Sequence, residues 1–458
     1  MESTVDRLTK VLIAQYLARN GYDGSLSNFL KETSLPRSVT DENDVYEPLE
    51  KIVAERIEFN EHAVSTKLEE LSINNKLAPL DSKFFVPSWD STRKFEPLPH
   101  IAQPNSLAIE ISFDHTGAIL AATAGREIAL YNSNLQLVKQ VGTGGGIVKK
   151  CGTIPSLKGV TYYYACQADG SLIIYDKELE VIAKHKLHRR IITHIEFFIL
   201  NDSTLLCFSC GLDNYIKLHK IILATQSVEC CDEVKLISTC TSFQLSQTEK
   251  SEPILFVSRM DFTQVMVLTV SRNRFLEKCR IALNSAQFST HSFNVWNLIV
   301  FNLKPSSSKE TNSHLIMLRD DTMLAVATSH TPYMRLILVE VPPFCSCPAE
   351  DLRSDFPKEV DATGSLSNPG VKTYFDKILR NIATTIQQDS FSQPVLKAFT
   401  VARGLLLGGD HGVWAIDISN GDTWQLLPVD DRVKTMDVED ERIAISFANK
   451  ELQVWQCK

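Results

Sequence analysis

The stretch Leu107-Ala-Ile-Glu-Ile-Ser-Phe-Asp-His-Thr-Gly-Ala-Ile-Leu-Ala-Ala-Thr-Ala-Gly-Arg-Glu-Ile-Ala-Leu-Tyr131 decides how most of this chain folds. Three short apolar runs are separated by turn formers, first at Asp114 to Gly117 and then around Gly125. Runs of this length bounded by Gly and Asp read as strands joined by tight turns, so about 25 residues hold a strand–turn–strand–turn–strand unit. The ending of that unit recurs at Ala168–Asp176, Gly211–His219, Arg259–Leu268, Asp320–Val326, Gly409–Asp417 and Ala448–Trp455. The first intervals are about 43 residues, and later ones widen where polar insertions intervene.

These units resemble WD repeats over most of residues 105–458. Tyr131-Asn132, Tyr175-Asp176 and Leu218-His219 stand where Trp-Asp is usual, and the usual Gly-His pair is missing. The resemblance implies a mainly β fold, a seven-bladed β-propeller, with eight blades as the alternative if the stretch between Pro342 and Pro394 hides one. That stretch, an insertion at about 343–393, reads instead as a polar loop and then an amphipathic helix with Tyr374, Phe375, Ile378, Leu379 and Ile382 on one face. Lys458 directly follows what reads as the third strand of the last blade, so that blade's outer strand is expected from elsewhere. Residues 77–104, broken by Pro79, Pro87, Pro97, Pro99 and Pro104, read as a linker able to donate it, with Phe84 to Trp89 as the expected donor.

Upstream the period changes. Leu8, Val11, Leu12, Tyr16 and Leu17 recur at helical spacing before Asn20-Gly21 supplies a stop. Asp23 is placed to cap a second helix in which Leu26, Phe29 and Leu30 share a face, and Pro36 closes the segment. Helices of about 12 residues are marginal in water, and a hairpin of two leaves an apolar face that a second copy would cover. The pattern Leu12-Ile13-x-x-Tyr16-Leu17-x-x-x-Gly21-Tyr22-x-x-Ser25-x-x-x-Phe29-Leu30-x-Glu32-Thr33 resembles the LisH motif. The resemblance implies a homodimer held by a helical bundle, with Leu12, Ile13, Tyr16, Leu17, Tyr22, Leu26, Phe29 and Leu30 at the interface. The module is expected over residues 1–36, followed by a helical extension over 37–76 whose stripe is Ile57, Val64, Leu68 and Leu71.

Composition narrows the function classes. With 458 residues, 44% hydrophobic and 22% charged, the chain can bury a large core, and a net charge of −8 argues against a broad nucleic-acid-binding surface. No apolar run reaches the roughly 20 residues that cross a bilayer, and the first 20 residues lack a signal-peptide core, so a cytoplasmic or nuclear protein without direct membrane insertion is expected. The 11 cysteines are odd in number and scattered, which fits reduced buried thiols.

Catalytic, cofactor and metal patterns are not met. Gly142-Thr-Gly-Gly-Gly-Ile-Val-Lys-Lys150 fails the phosphate-loop spacing because Cys151 follows Lys150 where Ser or Thr is needed. Cys207 and Cys210 lie in one apolar strand, where a three-residue offset sends their side chains to opposite faces, and Cys345-x-Cys347 has no neighbouring His. The expected catalytic residues, metals and cofactors are therefore none. One cationic cluster stands out, Lys184, Lys186, His188, Arg189 and Arg190, at a blade junction where its arginines could engage acidic or phosphorylated segments of a partner protein.

The layout is similar to transducin-beta-like corepressor subunits, substrate-recruiting subunits of ubiquitin ligases and the lissencephaly dynein regulator. The resemblance implies a non-catalytic homodimeric adaptor that recruits protein partners through its propeller inside a larger complex.

Overall fold

In the computed structural model the described residues are 4–40, 48–54, 56–57, 86, 88–157, 160–201, 203–284, 293–303, 315–342, 350–351 and 371–458. They divide into two units, a helical one within residues 1–76 and a β unit comprising the rest.

In the helical unit, α1 (Thr4–Arg19) ends where Tyr22 N–H donates to Leu17 O at 2.9 Å and Gly21 takes a φ of +72°. That left-handed turn is open to glycine without strain. The second helix, α2 (Asp23–Thr33), is preceded by Tyr22 at the cap position with no side-chain cap bond, so Asp23 does not cap it. It sits inside the first turn, where its charge complements the helix dipole. Val11, Ala14, Gln15 and Leu26 are buried between the helices and the 3-10 turn Arg37–Thr40, with Gln15 Nε2 donating to Val39 O at 3.0 Å. Residues 49–54 and 56–57 are helical, whereas Val64, Leu68 and Leu71 of the expected stripe lie outside the described residues.

The β unit follows from strands whose two faces are both covered. Among the described residues the strands form seven sheets, each with a four-stranded antiparallel core. Their inner strands are Ala108–Phe113, Val148–Leu157, Ile192–Asn201, Cys240–Gln247, Val295–Asn302, Val395–Phe399 and Val433–Glu439, which define blades 1 to 7. Each inner strand packs on the next, and Val433–Glu439 packs back on Ala108–Phe113, closing the ring. Apolar clusters fill the layers between neighbouring blades, which is why the middle strands, such as Ile119–Thr123 and Thr204–Gly211, are buried at every residue. Cys207 belongs to the layer between blades 2 and 3 and Cys210 to that between blades 3 and 4.

Blade 1 contains the three strands of the Leu107–Tyr131 stretch, with Asp114 Oδ1 accepting from Thr116 N–H at 2.8 Å and Ala118 N–H at 2.9 Å to hold the first turn. Gly117 there has a φ of +77° and lies under Arg442 of blade 7, whose Nη1 donates to its carbonyl at 2.9 Å. Of the glycine-rich run, Gly142 ends the strand Leu137–Gly142, and residues 143–147 form the inter-blade loop to Val148–Leu157.

Three expectations are corrected. The strand that completes blade 7 is Phe95–Pro97, antiparallel to Leu452–Cys457, and not Phe84–Trp89; Phe84 and Phe85 lie outside the described residues. Trp89 instead enters the layer between blades 6 and 7, 5.3 Å edge-on from Trp424 and 6.4 Å from Phe399 between ring centres. A three-residue edge strand suits Pro97, which has no N–H to offer a further strand.

The segment read as an amphipathic helix is a strand, Ile378–Gln387, and forms the outer edge of blade 5. Arg380, Ile382, Thr384 and Ile386 are buried and the residues between them exposed, a period of two. The insertion thus ends in a blade strand and holds no eighth sheet among the described residues. Finally, Asp320–Val326 leads into the second strand of blade 5, Thr322–Thr328, and not into its third, which is Tyr333–Glu340.

Candidate interaction surfaces

The helical hairpin sorts its apolar residues into two sets. Leu26 is buried inside the hairpin with Val11 and Ala14, while Leu12, Ile13, Tyr16, Leu17, Phe29 and Leu30 are half-buried. Tyr22 is exposed at the turn, its ring 6.4 Å from that of Tyr16. These aliphatic and aromatic groups therefore stay partly in water in the single chain.

The cationic cluster lies at the junction from blade 2 to blade 3. Lys184 and Lys186 are exposed on the outer strand Val181–Lys186, where Lys186 pairs with Asp169. Arg189 and Arg190 are exposed in the loop. That loop is held from below: Arg189 N–H donates to Asp213 Oδ2 at 3.0 Å, Arg190 Nη1 donates to Leu212 O at 3.2 Å, and a Cβ on Gly170 would collide with the carbonyls of His188 and Arg190.

His188 is corrected out of the contact set, because it is 1% exposed. Its Nδ1 lies 2.9 Å from Asp213 Oδ1 and its Nε2 3.0 Å from Ser209 Oγ. The order Ser, His, Asp is that of a hydrolase triad, yet Ser209 is fully buried and no substrate carbonyl could approach it. Burial holds the His188 imidazole below its usual range against the pull of Asp213, and the network ties the loop to blade 3. A Cβ on Gly211 would stand 2.8 Å from His188 Nδ1, so this packing also requires glycine there.

A third feature was missed in the sequence. The inner strands direct charged groups toward the ring axis: Lys150 Nζ of blade 2 pairs with Glu110 of blade 1 at 2.6 Å, and Lys397 Nζ of blade 6 with Asp437 of blade 7 at 2.8 Å. Glu196 of blade 3 senses both Lys397 and Lys150, and residues from blades 1, 2, 3, 6 and 7 come into mutual electrostatic reach only across a central channel. The available signal was a charged residue at alternate positions of otherwise apolar first strands, as in Ile-Glu-Phe-Phe at 195–198.

Burial raises the Glu196 carboxyl to about 7 from an ordinary 4.5, with Lys397 and Lys150 opposing the rise. A raised folded value means that the native state favours the proton, so the carboxyl costs nothing below pH 4.5 and destabilises progressively as the pH climbs through 7. Glu196→Gln is therefore expected to leave stability unchanged at pH 4 and to raise it at pH 8 by about 1–3 kcal/mol, the lower figure allowing for water in the channel. Urea unfolding at the two pH values measures the difference, and an equal gain at both would refute the assignment.

Among the described residues no helix is long and apolar enough to cross a membrane. Residues 71–456 match a family model described as "UCP007778, beta-propeller domain", and residues 7–41 match one described as "UCP007778, LisH domain". The chain is also similar to a curated protein of Saccharomyces cerevisiae (strain ATCC 204508 / S288c), "Uncharacterized protein YGR117C". The two are 31% identical over 474 residues, which covers 96% of this chain and 95% of the relative.

Proposed function

Since this chain belongs to the UCP007778 family, defined by a LisH domain and a β-propeller domain, we propose that it is a non-catalytic homodimeric scaffold, dimerised through its N-terminal helices and recruiting partner proteins through its propeller. The observation that carries this reading is that one chain holds both incompletely covered apolar hairpin residues and an exposed arginine loop on a closed ring of blades. Loops fixed by a stiff scaffold are where binding residues concentrate. Arg189 and Arg190, whose backbone is held by Asp213 and Gly170, can present guanidinium groups to carboxylates or phosphates without an ordering cost in the loop.

The same reading places the protein in the cytoplasm or nucleus as a subunit of a larger complex. Within it, a ligase-type recruiting subunit, a corepressor-type subunit and, behind them, a dynein regulator are the specific roles that the layout allows. The channel charges do not compose a reaction site on this reading. Glu110 and Asp437 are neutralised by Lys150 and Lys397.

Affinity purification of the wild-type protein and of Arg189→Glu/Arg190→Glu, with mass spectrometry of what co-purifies, tests the proposal. The variant is expected to lose a defined subset of partners by at least about tenfold, while its thermal midpoint stays within the small range typical of exposed substitutions, about 0.5 kcal/mol. An unchanged partner set would remove the loop from the proposal, and purification of a protein with no stoichiometric partner would remove the scaffold role.

A further inference from the structure

The arginine loop has cationic neighbours on the same face of the ring. In a four-stranded antiparallel blade, the turn between the second and third strands and the connection to the next blade lie on one side of the sheet. On that side, blades 1 to 3 carry Arg126 in the turn 124–126, the connection 143–147 with Lys149 just beyond it, the turn 168–170, and Arg189 and Arg190 in the connection 187–191. Arg126, Lys149, Arg189 and Arg190 are all exposed, and among the described residues none of their charged groups forms an ion pair. The acidic residues of the same stretch are otherwise engaged. Glu127 is half-buried, Asp169 pairs with Lys186, and Asp213 holds His188 and the Arg189 N–H.

Backbone hydrogen bonds join these loops in sequence. Thr143 N–H donates to Arg126 O at 2.9 Å, Ala168 N–H donates to Ile147 O at 2.7 Å, and Gly170 O accepts from the N–H groups of Leu187 and His188, both at 3.1 Å. Within the connection, Gly144 and Gly145 have φ values of +66° and +121°, and a Cβ at either would meet nothing within 4 Å. Their backbone N–H groups have no protein partner among the described residues. A strand follows this run, so it is no nucleotide loop, yet consecutive free N–H groups in a left-handed turn form a concavity suited to an anion. Arg126 is tied to one side of that turn, and Lys149 falls on the other, in the bulge between Val148 and Lys150.

We propose that this face binds a phosphorylated segment of a partner protein, with the phosphate at the Gly144–Gly145 turn between Arg126 and Lys149, and a neighbouring acidic group on Arg189 and Arg190. The inference rests on the partner-recruiting role proposed above and gives it a ligand chemistry and a second subsite. A phosphate brings a charge of about −1.5 to −2 and three acceptor oxygens, enough to engage two N–H groups and two cations together, whereas a carboxylate has one charge and two oxygens. The loops are fixed by their own hydrogen bonds, so little ordering is left for binding to impose. Ile147, 44% exposed, offers the segment an apolar contact between the two subsites. It is the one exposed large apolar residue of these loops among the described residues, which suits a peptide better than a lipid layer that apolar side chains must enter.

The immobilised full chain is offered a synthetic peptide library with a central phosphoserine, phosphothreonine or phosphotyrosine and degenerate flanks, mixed with counterparts carrying the unmodified residue or glutamate, and the bound peptides are quantified by mass spectrometry. Phosphorylated peptides are expected to be enriched at least about tenfold over both counterparts, with acidic residues selected on one flank. Arg126→Glu with Lys149→Glu should remove that enrichment at an unchanged thermal midpoint, and the milder Arg126→Gln with Lys149→Gln should lower it in the same direction. Arg189→Glu with Arg190→Glu should erase the acidic selection on the flank. Equal recovery of phosphorylated and unmodified peptides by the wild-type chain overturns the proposal, and that result stands even if a variant fails to fold. Unchanged enrichment in the folded Arg126/Lys149 variants, or binding to phosphatidylcholine vesicles containing a phosphatidylinositol phosphate without phosphopeptide enrichment, also overturns it. Loss of partner proteins from the Arg189/Arg190 variant without phosphopeptide enrichment would refute this inference and leave the scaffold reading standing.

Discussion

A chain that starts at residue 105 is expected to aggregate, whereas one that starts at residue 41 is expected to remain monodisperse with an intact β-sheet spectrum. The difference lies in residues 88–104. Phe95–Pro97 is the fourth strand of blade 7, and the pairing extends through Lys94 with Lys458, Leu98 with Val454 and Ala102 with Leu452, at N···O distances of 2.8 to 3.2 Å. Removing it leaves Leu452–Cys457 as a bare apolar edge, a template for pairing with other chains. The same cut takes Trp89, 8% exposed, whose backbone N–H donates to Asp417 Oδ2 at 3.0 Å and whose ring fills the space above Gly404. Loss of a buried tryptophan alone costs about 3–5 kcal/mol, a large fraction of a typical domain's stability. Size-exclusion chromatography with light scattering separates the outcomes, and a soluble, monodisperse 105–458 fragment would show that blade 7 closes without the donated strand.

The second large effect is expected from Leu17→Asp together with Phe29→Asp. Under the proposed dimer the wild-type protein scatters light as two copies at micromolar concentration and the double variant as one. Both residues are half-buried in the single chain, so neither carboxylate invades the Val11, Ala14 and Leu26 core of the hairpin. In a dimer the same positions would be sealed from water, where apolar side chains are worth about 1.5–3 kcal/mol each and an unpaired charge is far more costly than that gain. The ring has its own core and should keep its circular dichroism. A wild-type monomer at that concentration excludes the dimer, and a double variant that stays dimeric moves the interface elsewhere.

The sequence by itself determined the local elements. Runs such as Ile119–Thr123, apolar because both faces are covered, and turns such as Asp114–Gly117, closed by an Asp side chain and a left-handed glycine, carry their reasons within a few residues. The same holds for the hairpin of α1 and α2, whose helical period and Gly21 stop are local. Where one spacing satisfies two periods, local reading fails. Ile378, Ile382 and Ile386 are four apart, which fits a helical face and equally every second pair of a strand, and only the burial of Arg380 and Thr384 between them decides for the strand.

Tertiary structure alone decided the partners in long-range pairings. Phe95–Pro97 reaches residues some 360 positions away, and nothing in three residues with one proline names that edge. It also decided the fate of polar groups. His188 read as one more cation in a basic run, yet Asp213 and Ser209, on another strand and its turn, draw it inside. Glu110, Lys150, Glu196, Lys397 and Asp437 are scattered over more than 300 residues and become one electrostatic system because a closed ring of sheets points every first strand at the same axis.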